Sequence, residues 1–302
     1  MRQCVGDAAS RGRLEPRQVS VGDVSYHLVL GGAGSPLLLL HGFPQTHYCW
    51  RKVAPQLAST HTVVAPDLRG YGDTVAPPGG PRGEGYSKRE MASELVALME
   101  HLGFDRFAVV GHDRGARVAY RMALDHPARV ERLVVLNVVP TVDQFERMTT
   151  ATTLDYYPWL FLAQPAPLPE RLLEPNAEFF LRHTLESWSG TPGAIAAEAV
   201  AVYVRAFSPA MIAAVCADYR AAFHLDRPLD AQDRAANRRI TCPVLVLWGD
   251  QEGALADGPL TVWRRWADDV RGHALACGHF LPEEAPDALA ASLVDFLRHG
   301  AD

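Results

Sequence analysis

Apolar and polar positions alternate in two short stretches near the start of the chain, Arg17 to Val21 and Val24 to Leu30, with Gly22-Asp23 between them. Alternation suits half-buried strands and a Gly-Asp pair suits a tight turn, so a hairpin is predicted. The pattern then changes. Pro36 to Leu40, Thr62 to Ala65, Phe107 to Val110, Leu133 to Leu136 and Val244 to Trp248 are short continuous apolar runs, as expected of strands covered on both faces. Helical segments separate them. One is predicted over Thr46 to Leu57. A second follows Ser87-Lys88-Arg89-Glu90, which has capping-box spacing, and repeats Met91, Leu95, Leu98, Met99 and Leu102 before Gly103. A third runs from Ala116 to Asp125 and stops before Pro127. Strands alternating with helices predict an α/β fold, a mostly parallel sheet flanked by helices.

Between Pro140 and Ile240 the pattern contains no buried strand. Aromatic residues crowd in, and Pro158, Pro165, Pro167, Pro169, Pro175 and Pro192 divide the segment into short helices. The predicted organisation is a core formed by residues 1–140 and 240–302, with a helical cap inserted over 141–239.

Composition narrows the partners. A chain of 302 residues, 48% hydrophobic, can bury about three quarters of its unfolded surface around one core. The 29 Lys and Arg against 35 Asp and Glu leave a net charge of −6, which argues against nucleic acid as a partner. The five cysteines, Cys4, Cys49, Cys216, Cys242 and Cys277, are odd in number and lack C-x-x-C spacing, so reduced thiols are expected rather than a disulfide framework or zinc knuckle. Met1 to Arg17 is polar, and no run of about 18 apolar residues offers a membrane span. The expectation is a cytoplasmic protein with no membrane partner.

Candidate chemistry centres on Gly111-His112-Asp113-Arg114-Gly115, which follows a buried strand and opens a helix. G-x-D-x-G is the nucleophile elbow with Asp in place of Ser. The glycines let the strand turn sharply into the helix and hold Asp113 at the carboxyl edge of the sheet, where open α/β sheets bind ligands. Asp also serves as a plain helix cap. Two further segments favour chemistry. His41-Gly42-Phe43 follows the preceding buried strand, and the Phe43 and Arg114 amides are candidates for an oxyanion hole. Gly278-His279-Phe280 lies near the end, giving nucleophile first and histidine last, the chain order of α/β-hydrolases. An Asp nucleophile attacks sp³ carbon to form an alkyl ester, which water activated by His279 then hydrolyses. Carbon–halogen cleavage and epoxide opening both fit.

The segments His41-Gly42-Phe43-Pro44-Gln45, Asp67-Leu68-Arg69-Gly70-Tyr71-Gly72-Asp73, Gly111 to Arg117, Phe161-Leu162-Ala163-Gln164-Pro165 and Gly278 to Glu284 resemble the fluoroacetate dehalogenases of the α/β-hydrolase superfamily. Epoxide hydrolases usually carry Trp where Arg114 stands. The resemblance implies an α/β-hydrolase fold with a helical cap and a homodimer. It implies that Arg114 and Arg117 clamp the substrate carboxylate and that Trp159 and Tyr219 face the departing halide. Two guanidinium groups three residues apart share a helix face and suit a small carboxylate. The expected substrates are water and a short halogenated carboxylic acid, with neither metal nor organic cofactor.

Two positions depart from the family. Where it generally has the triad acid, this chain has Asn137, which cannot balance an imidazolium charge. The loop after Val244 to Trp248 reads Gly249-Asp250-Gln251-Glu252, and an acid relocated to Glu252 is the preferred reading, with Asp250 second. Pro158 stands where the halide pocket typically has a histidine donor. Two alternatives stay open. One is an epoxide hydrolase drawing on Tyr156, Tyr157, Tyr203 or Tyr219, and the other is a non-catalytic binding protein of the same fold.

Overall fold

Eight strands form one sheet in the order β1-β2-β4-β3-β5-β6-β7-β8 in a computed structural model that describes residues 14–150, 152–251 and 258–298. Leu14–Val21 (β1) and Val24–Gly32 (β2) make the predicted hairpin, closed at Val21 and Val24 around Gly22-Asp23. Ser35–Leu40 (β3), His61–Pro66 (β4), Phe107–His112 (β5), Val130–Leu136 (β6), Val244–Gly249 (β7) and Val270–Leu275 (β8) run parallel to one another. The apolar runs are the centre of the sheet: Leu37 to Leu40, Val109, Val110 and Leu133 to Leu136 are fully buried. Each such side chain contributes roughly 1.5–3 kcal/mol through burial.

Two sequence expectations change. The helix predicted over Thr46 to Leu57 is a 3₁₀ segment, His47–Lys52, followed by a single α-turn, Ala54–Leu57 (α1). Pro55 lies in the first turn of α1 and has no N–H to extend the earlier segment. β8 escaped the strand reading, which caught only an apolar run over Ala274 to Ala276. It is an edge strand whose Arg271 and His273 are exposed, so it carries polar residues that a two-faced buried strand cannot.

Lys88–His101 (α2) begins as the capping box predicts, with the Ser87 hydroxyl accepting from the Glu90 amide, and buries Met91, Leu95, Leu98 and Met99. Arg114–Asp125 (α3) follows β5. Between β6 and β7 the described residues form helices and no strand: Thr141–Glu146 (α4), Tyr157–Leu162 (α5), Leu168–Leu173 (α6), Ala177–Trp188 (α7), Ala197–Ala206 (α8), Pro209–Ala221 (α9) and Arg227–Ala235 (α10). Pro259–Trp263 (α11), Leu281–Glu284 (α12) and Pro286–Arg298 (α13) complete the chain. No single helix among the described residues is long and apolar enough to cross a membrane. Cys49, Cys216 and Cys242 are free thiols and Cys277 is buried; Cys4 lies outside the described residues.

Candidate active site

Asp113 sits between β5 and α3 with φ 47° and ψ −113°, a sparsely populated conformation for a residue with a side chain. Such a residue costs of order 1–3 kcal/mol and persists only where its surroundings over-determine it. Here they do. The turn is squeezed so tightly that a Cβ on Gly115 would lie 2.4 Å from the His41 carbonyl oxygen, and one on Gly42 would lie 2.4 Å from the Asp113 Cβ. The Asp113 amide donates to the Leu136 carbonyl at 3.2 Å. Its carboxylate Oδ1 accepts the Phe43 amide at 2.9 Å. The Arg114 amide makes no hydrogen bond to that carboxylate, so of the two expected oxyanion donors only Phe43 engages Asp113.

His279 follows β8, with Nε2 at 4.0 Å from Asp113 Oδ2. Three groups position its loop. The His279 amide donates to the Trp188 carbonyl at the end of α7, and its own carbonyl accepts from His112 Nε2 at 2.8 Å. Glu284 accepts from the amides of Gly278, Phe280 and Gly190, at 3.0, 2.8 and 2.8 Å. Burial, and then the neighbouring His279, pushes His112 down to about 3, so it stays neutral and acts as a donor.

Asn137 adopts φ 62°, which Asn tolerates better than most residues, and it faces His279. Its Oδ1 accepts the Gly249 amide at 3.0 Å, which turns Nδ2 toward His279 Nδ1 at 2.8 Å. An amide supplies position here and no charge. Glu252 lies outside the described residues. Asp250 is exposed and is not part of the cavity wall, whereas Gln251 lines the cavity.

Arg114 and Arg117 leave the first turn of α3 in different company. Arg114 is fully buried and gives Nε and Nη2 to Asp218 Oδ2 and Oδ1, at 3.0 and 2.5 Å. Asp218, on α9, also accepts from Lys88 Nζ and from the Tyr71 hydroxyl. Burial would raise its carboxyl, yet the Arg114 and Lys88 charges hold it well below the usual carboxylate range. Arg114 Nη1 remains buried without a partner. Arg117 donates to the Val139 carbonyl at 2.9 Å, while its Nε is buried without a partner. Burial, and then the Arg114 charge, lowers the Arg117 pKa. Both guanidinium groups lie over Trp159, their Cζ atoms 5.0 and 4.4 Å from the ring centroid.

A cavity of about 540 Å³ opens between core and cap, with Asp113, His279, Asn137, Arg117 and Trp159 in its wall. Arg114, Tyr219 and Pro158 lie behind that wall. Tyr219 reaches it indirectly, its ring 5.5 Å from that of Trp159 and 5.7 Å from that of Phe43. Pro158 is a buried first-turn residue of α5. Among the four tyrosines of the epoxide alternative, Tyr156 and Tyr157 line the cavity, and the Tyr203 hydroxyl is committed to Glu283 at 2.6 Å.

Sequence reasoning missed Asp218, Trp188 and Gln144. Gln144 lines the cavity and buries its amide nitrogen without a partner. Asp218 adjoins Tyr219, and an acid that shares the largely apolar α9 with one other charge, Arg220, was the one available signal.

Residues 35–286 match the alpha/beta hydrolase fold family. A fluoroacetate dehalogenase of a Burkholderia species is 42% identical over 94% of this chain and 94% of its own. A soluble epoxide hydrolase of a Corynebacterium species is 34% identical over 92% of this chain and 96% of its own. A crystal structure from Nostoc sp, described as an alpha/beta hydrolase, superposes with a TM-score of 0.91 at 48% identity, covering 95% of this chain and 98% of that one.

Proposed function

The chain belongs to the alpha/beta hydrolase fold family, in the branch of the fluoroacetate dehalogenases, and on that premise we propose that this hydrolase removes halide from a short 2-haloacid. The observation that carries the reading is the pairing of Asp113 Oδ1 with the Phe43 amide while Oδ2 faces His279, beside the unpartnered Nε of Arg117.

The two oxygens then divide the work. Oδ2 attacks the halogen-bearing carbon, the C–X bond breaks with its electron pair leaving on halide, and an Asp113 ester forms. His279 Nε2 takes a proton from water, whose oxygen attacks the Asp113 carbonyl carbon. Negative charge develops on Oδ1, against the Phe43 N–H already in place. Collapse breaks the Cγ–Oδ2 bond, the departing alkoxide takes the proton back from His279 and leaves as the hydroxy acid, and the Asp113 carboxyl loses the second water proton to solvent. For Nε2 to accept that proton, Nδ1 must carry one, and an amide N–H aimed at Nδ1 favours the opposite tautomer. A carboxylate at Nδ1 reverses the preference and balances the imidazolium, and that role is proposed for Glu252 from its position after β7 in the sequence. The substrate carboxylate lies against Arg117, with Arg114 Nη1 behind it.

Halide release from fluoro-, chloro- and bromoacetate tests the reading, and none from any of them rejects it. A second reading, epoxide hydrolysis, draws on Tyr156 and Tyr157 in the cavity wall and on the Corynebacterium relative. Diol formation from a small epoxide without halide release would establish it. The homodimer implied by the resemblance has a candidate face on the cap, where Leu160, Leu172 and Phe179 are 42%, 53% and 73% exposed. Sedimentation of Phe179→Glu as a monomer beside a dimeric parent supports that face.

A further inference from the structure

We propose that His27, His47 and Asp67 form a binding site for a divalent transition-metal ion of the zinc type, separate from the cavity that holds Asp113. His27 belongs to β2, Asp67 follows β4, and His47 opens the 3₁₀ segment just beyond the Phe43 loop. One potential ligand atom from each residue lies within 4.8 Å of the other two. Two imidazoles and a carboxylate are a donor set that zinc accepts, with water completing a tetrahedron.

Electrostatics gives the site a reason to fill. Asp67 is 1% exposed, and its contacts are the His47 amide and Nδ1 at 2.8 Å each, the Asp73 amide at 3.0 Å, and His41 at 3.9 Å. No Lys or Arg among the described residues pairs with it. A buried carboxylate surrounded by amides and imidazoles is where a cation gains most. Geometry asks little. Ligand atoms about 2.0 Å from a tetrahedral ion lie about 3.3 Å apart. His47 Nδ1 and Asp67 Oδ1 are already near that spacing, so the ion takes the place of the proton between them. His27 needs at most about 1.5 Å of inward movement to match that spacing, since its ligand atom lies within 4.8 Å of the other two, and it is only half-buried. Partial exposure of both histidines supplies the entry path.

None of the three lines the Asp113 cavity. The ion would clip β2 to the turn after β4 and to the start of the 3₁₀ segment. That turn also holds His41, whose Nε2 accepts the Leu68 amide at 2.9 Å. Its role is to stiffen the frame behind Phe43 without touching substrate.

Tag-free protein titrated calorimetrically with Zn²⁺ should give a saturable one-to-one isotherm and a raised Tm, with Mg²⁺ giving neither. His27→Gln and His47→Gln should each weaken binding at least tenfold, while His273→Gln, on the exposed edge strand, leaves it unchanged. Far-UV circular dichroism confirms that the variants fold. Absence of saturable Zn²⁺ binding overturns the proposal. So does an isotherm that survives both substitutions or weakens equally in His273→Gln.

Discussion

The floor of the cavity and the wall that the cap lays over it hold charged groups by different means. On the floor, Asp113 is held by backbone: the Phe43 amide binds its carboxylate and its own amide binds the Leu136 carbonyl. Behind the wall, Arg114, one residue later, is held by the side chain of Asp218, 104 positions away, with Lys88 and Tyr71 completing the cluster. Backbone donors cannot rotate away, so the floor is rigid before any ligand arrives. A buried ion pair holds only while both members remain. The Arg114 pair therefore couples substrate binding to cap packing, whereas the Asp113 carboxylate is fixed by backbone groups of the core.

The largest expected effects test the floor. Asp113→Ala should abolish turnover, whereas His279→Ala should still be alkylated and then stall. Mass spectrometry after chloroacetate addition should find the adduct on Asp113 in the His279 variant. Retained turnover without an adduct would break the assignment of separate steps.

Next comes the acid role proposed for Glu252. Glu252→Gln should slow ester hydrolysis about 10²- to 10⁴-fold, the usual range for general acid–base assistance, while exposed Asp250 tolerates Asn. Single-turnover kinetics isolates that step. Damage from Asp250→Asn instead moves the acid by two residues, and no damage from either leaves Asn137 as the sole orienting group.

The wall should respond more moderately in rate and more strongly in stability. Arg117→Ala should cost about tenfold to a hundredfold in kcat/KM, the range for a hydrogen bond to a charged group. Arg114→Ala adds a stability loss of about 3 kcal/mol, the low end for a broken buried pair, because Asp218 loses its two-pronged partner but keeps Lys88. Denaturant titration of the two variants separates them: equal stability would show that the Asp218 cluster does not tie cap to core. Equal turnover of chloroacetate and a neutral chloroalkane would remove the clamp altogether.

The smallest effect concerns the halogen. Fluoride depends most on donors as charge develops, and Pro158 offers neither a side-chain donor nor an N–H. Chloroacetate or bromoacetate should therefore exceed fluoroacetate in kcat/KM. The ratio should be about tenfold, the lower end expected for one lost donor, since Pro158 is set back from the cavity. Pro158→His should narrow it. Fluoroacetate ranking first would make pocket size the controlling variable.

The division between floor and wall also divides what was legible. The buried strands, the hairpin, the capping box before α2 and the elbow at Gly111 to Gly115 were readable because each depends on contacts between near neighbours or on a local backbone demand. Amphipathic period, glycine at a close approach and proline at a break act over a few residues, so residue order encodes them. The edge strand β8 was harder because exposure on both faces dilutes its apolar pattern. What tertiary structure alone decided was pairing at long range. It turned Asn137 Nδ2 toward His279, set Glu284 under three amides, and brought Asp218 to Arg114 and Lys88 together. A charged side chain reads the same in sequence whether its partner is solvent, substrate or a buried ion, because its energy depends on what the fold places within about 4 Å of it.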